Sequence, residues 1–151
     1  MSEQEAPVFT IEKLYVKDLS LEVPNAPQCF FERETPQIEV QLATSGTGVG
    51  DGLFDVVLTV TVSAKVAEKT LFLVEAAQAG LFQIRNVPEQ EVEPILAVAC
   101  PNILFPFARE VVADAINRAG LPPVLLAPVN FENVYRQRLE QQATAGEVPI
   151  Q

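Results

Sequence analysis

The sequence predicts an α+β domain: a four-stranded antiparallel sheet followed by a kinked helix, a Pro-rich connecting loop and a C-terminal amphipathic helix. Three observations carry that reading. Apolar and polar residues alternate with period two through the first half, then apolar residues recur at helical spacing in the second. The later strand-like runs follow one another across links too short for helical crossovers, so neighbours pair antiparallel. Proline and glycine punctuate the run ends.

The first run spans Val8 to Val23. Phe9, Ile11, Tyr15, Leu19, Leu21 and Val23 share one face, and Glu12, Asp18, Ser20 and Glu22 the other, where Leu14 and Val16 intrude. Two blocks offset by one residue predict a long strand with a local irregularity. Pro24 and Pro27 end it, and Cys29 to Pro36 forms a charged loop or crossover holding Phe30 and Phe31. A second strand, Gln37 to Ala43, alternates Ile38, Val40 and Leu42 with polar residues. SGTGVGDG (45–52) reads as a flexible hairpin turn, because it lacks the lysine and following helix of a phosphate-binding loop. Leu53 to Val66 is the clearest strand. Ala67-Glu68 turns it into a fourth, Lys69 to Ala79, continuing toward Ile84.

Beyond Pro88, Glu89, Glu91 and Glu93 suit the start of a helix. Pro94, Pro101 and Pro106 predict that it breaks or kinks, with Asn102 to Ala119 its best part. Ala108, Val112, Ala115, Ile116 and Ala119 form a stripe suited to close helix–helix packing. Gly120 stops this helix. LPPVLLAPV (121–129) is an extended apolar loop that must lie against apolar surface or meet a partner. Asn130 caps a last helix, roughly 131–143, with Phe131, Val134, Tyr135 and Leu139 on one side. The chain of 151 residues reads as one domain, 1–151, with disordered ends at 1–7 and 144–151.

Composition narrows function. Ten Lys+Arg against 20 Asp+Glu leave a net charge of −10, which disfavours nucleic acid and anionic membranes and favours cationic partners. Histidine is absent, removing imidazole triads and His-containing metal sites. Cys29 and Cys100 are too few for a disulfide framework and read as core filling. The acidic start is no signal peptide, and Ile95 to Ala108 is too short and proline-broken to span a bilayer, so the protein reads as cytoplasmic. Asp18 and Glu22 share a strand face but stand roughly 13 Å apart, wider than a glycosidase pair. With no nucleophile elbow, Walker motif or EF-hand loop, the chain reads as no enzyme and as binding no metal. Each aromatic residue near a loop reads by itself as core. Together with the 121–129 loop and the last helix, they fit an apolar groove with an acidic rim, suited to unfolded chains.

The segments YVKDLSLEVPNAP (15–27), CPNILFPFARE (100–110) and LAPVNFENVY (126–135) closely resemble the SecB family of bacterial protein-export chaperones. The resemblance runs from Phe9 to Gln142. It implies a homotetramer, a dimer of dimers, that holds unfolded preprotein clients without ATP and delivers them to the SecA motor of the translocase. It also implies no cofactor. Asp18, Glu22, Leu73 and Glu75 match the family's SecA-docking patch. Phe72, Phe107, Leu125, Leu126, Phe131 and Tyr135 are the candidates for the client groove. Glu34 departs from the pattern, standing where some members carry tryptophan. Two alternatives stay open: a SecB-like chaperone with a dedicated client, such as a toxin–antitoxin system, and a carrier of a small hydrophobic ligand.

Overall fold

The computed structural model describes residues 5–146. Four strands, β1 (Val8–Glu22), β2 (Gln37–Gly50), β3 (Leu53–Val66) and β4 (Lys69–Arg85), form one antiparallel sheet in the order β1-β4-β3-β2. Strand β1 pairs with β4 rather than with its neighbour in sequence, and the 23–36 crossover carries the chain from one edge to the other. Helix α1 (Glu89–Pro94), a π-type turn (Ile95–Ala99) and α2 (Cys100–Arg118) follow without a break, and α3 (Phe131–Gly146) ends the described chain.

Two bulges, at Glu12 and Lys17, resolve the irregularity in β1. Each inserts one unpaired residue and so shifts the alternation by one. Phe9, Ile11, Leu14, Val16, Leu19 and Leu21 consequently all face the same side, and Tyr15 faces the other with Asp18. The expected placement of Tyr15 with the apolar set is therefore corrected.

The glycine-rich stretch is mostly strand. β2 continues to Gly50, and only Asp51 and Gly52, at φ 55° and 75°, make the turn. Two successive positive φ angles at Asp-Gly match the twist of a tight hairpin. The β3 bounds agree with the sequence expectation, and Ala67 and Glu68 make the next turn.

The prolines do not interrupt the helical run. Cys100 donates its N–H to the Ile95 carbonyl, five residues back, so the ladder widens there. Pro101 follows directly on that widened turn, so the run loses one N–H there without breaking. The Pro106 ring and Asn102, whose carbonyl that proline leaves unbonded, both face solvent. The run Glu89–Arg118 is long and apolar enough to cross a bilayer by length and composition. Its apolar stripe lies instead on the sheet.

The core lies between that stripe and one sheet face. Ala108, Val112, Ala115 and Ile116 are buried against β3 and β4, not against another helix as their small size suggested. Val56, Leu58, Val60 and Val62 are fully buried beneath them. Gly80 permits the close approach: a Cβ there would stand 2.6 Å from the Phe82 ring and 3.1 Å from Leu104. Cys29 and Cys100 are buried free thiols, and burial pushes Cys100 up to about 12, so it stays protonated. Helix α3 runs to Gly146, past the expected end at 143. Of the ends expected to be disordered, 1–4 and 147–151 lie outside the described residues.

Candidate functional site

The two sheet faces differ in what covers them. On the face away from α2, register sets Glu22 beside Leu73, Ser20 beside Glu75 and Asp18 beside Ala77. Paired residues share a face, so Asp18, Glu22, Leu73 and Glu75 form one patch. Glu75 sits about 8 Å, by backbone spacing, from both β1 carboxylates. Thr61 Oγ1 donates to Glu75 Oε1 at 3.2 Å and steers that carboxylate along the face. Leu73 borders a depression of 280 Å³ that reaches Ser63 and Glu39 on the next two strands. The patch is acidic with one apolar spot, and its carboxylates are exposed.

Farther along the same face, Tyr15 donates its O–H to Asp55 Oδ1 at 2.6 Å, and Lys17 Nζ reaches Oδ2 at 2.9 Å. Both reach over β4 to tie β1 to β3. Partial burial raises the Asp55 pKa, but the hydrogen bonds from Tyr15 and Lys17 outweigh it and hold the carboxyl below its ordinary value. The hydrogen bond to Asp55 raises Tyr15 and Lys17 in turn.

Apolar grooves open on the helix side. The larger, 430 Å³, runs between the crossover and the loop after α2, lined by Phe30, Ile38, Leu71, Phe72 and Val124, with Glu32 and Glu34 among its charged groups. Local chemistry sets its walls. Asn25 Nδ2 bonds the Thr70 carbonyl at 2.8 Å, tying the crossover to the start of β4. Glu32 Oε1 accepts the N–H groups of Arg33 and Glu34, shaping the rim. Gly120, at φ 86°, turns the chain sharply out of α2, and Phe30 lies against it. A second groove, 280 Å³, lies between β2 and α3, lined by Leu42, Ala97, Phe131, Val134 and Arg138. Asn130 Oδ1 accepts the Asn133 N–H at 3.0 Å and caps α3 there.

The six groove candidates separate on this geometry. Phe72 lines the first groove and Phe131 the second, where its ring meets Phe105 edge-on at 5.9 Å. Leu126 is buried in the core, Leu125 is 72% exposed beside it, and Tyr135 is half-buried on α3. Phe107 is exposed on α2 and lines neither groove. Sequence reasoning passed over Ile38, Leu71 and Arg138. The first two looked like ordinary strand residues, but Arg138 stands three positions after Tyr135, the spacing that puts both on one side of a helix. Glu34, in place of a tryptophan, lines the first groove. Among the described residues, no three Cys, Asp or Glu side chains converge in a metal-holding group.

A sheet with one helix-covered face, one open acidic face and apolar grooves at its margin defines a protein that works through exposed surfaces. The family model described as "Preprotein translocase subunit SecB" matches residues 2–142. The Dechloromonas aromatica "Protein-export protein SecB" is 66% identical, with both chains covered in full. The Chromobacterium violaceum protein of the same name is 64% identical over 97% of this chain and 99% of its own. The solved Mycobacterium tuberculosis SecB-like chaperone Rv1957, in complex with a peptide from the HigA1 antitoxin, matches with a TM-score of 0.67. That match has 18% identity and covers 80% of this chain and 90% of that one. The chain belongs to the SecB family.

Proposed function

We propose that this protein is an export chaperone that holds unfolded preproteins without ATP and hands them to SecA. The observation that carries this is the separation of its surfaces. The patch of Asp18, Glu22, Leu73 and Glu75 lies on one side of the sheet and the apolar grooves on the other, so motor and client need not compete. The grooves at Phe72 and Phe131 take apolar client segments, with Leu125, Leu126, Tyr135 and Phe107 at or beyond their margins. The protein works as a homotetramer, a dimer of dimers, in the cytoplasm. It needs no cofactor, performs no catalysis and binds no nucleic acid. Exposed Phe9, Ile11, Val16 and Leu19 along the β1 edge support assembly, because an apolar strip on an edge strand calls for a partner. Identity above 60% to export proteins favours this reading over a toxin–antitoxin chaperone or a small-ligand carrier.

The test is suppression of aggregation of a denatured preprotein without ATP, with native mass measured in parallel. Suppression by a species of four subunits is expected; a folded protein that fails to suppress sinks the reading. Glu75→Lys should weaken SecA binding about tenfold or more at low salt and leave client holding intact. Equal loss of both would contradict the docking assignment. Raising the salt should weaken docking of the wild-type protein as well.

A further inference from the structure

The two grooves differ in charge, and both border the same strand. Beside Ile38 near the start of β2, the charged groups lining the first groove are Glu32 and Glu34. Beside Leu42 and Thr44 farther along, the one charged group lining the second groove is Arg138. Register places Ile38, Leu42 and Thr44 on the same face of β2, so a chain lying along it could meet both grooves without twisting over. The six steps along the strand from Ile38 to Thr44 span roughly 20 Å.

Arg138 is available for a ligand. It makes no ion pair among the described residues, and its guanidinium lies 5.9 Å from the centroid of the Tyr135 ring. That contact uses the face of the guanidinium and takes up none of its N–H donors, while Arg138 itself lines the second groove. Glu93 lines a smaller cavity of 190 Å³ together with Arg138 and does not line the second groove.

We infer that Arg138 determines charge specificity in the second groove, selecting extended client segments that carry a carboxylate beside an apolar residue there and a basic residue about six positions away in the first groove. The inference rests on the reading of these grooves as the client site. It deepens that reading, because a net charge of −10 repels acidic client segments as a whole and the carboxylates of the first groove do so locally, whereas the charged group lining the second groove is a cation.

The experiment uses three unstructured peptides, identical but for one residue. Each carries a lysine beside a first aromatic residue and, six positions on, a second aromatic residue flanked by Glu, Gln or Lys. Binding to the full-length protein is followed by fluorescence anisotropy at low salt. Wild type should bind in the order Glu over Gln over Lys, with about fivefold between the extremes. Arg138→Glu should reverse that order and Arg138→Gln flatten it, with the native mass unchanged. Wild-type binding whose order is insensitive to both substitutions overturns the role of Arg138 and leaves the grooves standing. Failure of the wild-type protein to bind any of the three overturns the groove reading, and this inference with it.

Discussion

Strands β1 and β3 both turn an apolar side toward α2, β1 with the help of its two bulges. On β3, Val56, Leu58, Val60 and Val62 are fully buried, whereas on β1 Ile11, Val16 and Leu19 remain 43–47% exposed. Position in the sheet makes the difference. α2 lies across β3 and β4 and barely touches β1, which forms the edge. Alternation therefore states which way a side chain points, and not whether anything covers it.

The largest effect that probes this contrast comes from shortening equivalent residues. Leu58→Ala should cost about 3 kcal/mol in denaturant unfolding, since it removes a fully buried side chain and leaves a cavity. Leu19→Ala should cost under about 1 kcal/mol in the isolated subunit, because its half-exposed side chain loses little buried area. If both cost the same at a dilution where single subunits prevail, the contrast fails. If Leu19→Ala becomes costly only where subunits associate, the strip is covered by assembly.

The seat of α2 is the next point to press. Gly80→Ala should destabilise by about 2 kcal/mol, because the new methyl group meets the Phe82 ring and Leu104 at distances that force one of them to move. A neutral outcome would mean that α2 does not sit this close to β4.

The smallest effects come from the polar tie that holds the edge strand from its other face. Tyr15→Phe should cost about 1 kcal/mol, leaving Asp55 bonded to Lys17 alone. The tie also carries a pH signature. Asp55 titrates below its ordinary value of 3.8 in the folded chain, so its contribution is complete above that value and fades as the pH falls through the lower folded value. Wild type and Asp55→Asn should accordingly keep a constant stability difference above about pH 5 and converge toward about pH 2. A difference that persists in acid would show that the carboxylate charge is not what the tie uses.

The legible parts of the fold were those where local and tertiary preferences agree. β3 lies between Asp-Gly and Ala-Glu turns and, Val57 apart, alternates from Phe54 to Val66, so its ends were visible. β2 looked short because Gly46 and Gly48 resemble a loop; in the fold they are strand residues lying beneath Leu96 and beside Phe54. Pro94 and Pro101 read as breaks because a wider helical turn at 95–99 leaves no mark in side-chain chemistry. Of the candidate patch, alternation put Asp18 with Glu22 and Leu73 with Glu75, the resemblance joined the two pairs, and only the β1–β4 register sets them side by side. The groove was less legible. Its walls come from the crossover, β2, the loop after α2 and α3, and no local periodicity reports which of those distant segments touch.

The bulges at Glu12 and Lys17 carry a consequence for solubility. With those two residues removed, the thirteen remaining positions of Val8–Glu22 would alternate without a fault, a regular and strongly β-forming edge with an apolar side. Such an edge can add identical strands without limit and is a template for fibrils. Unpaired residues at two places deny a flat strand a continuous ladder. Any strand added there must match the bulged twist and spacing, which opposes open-ended stacking.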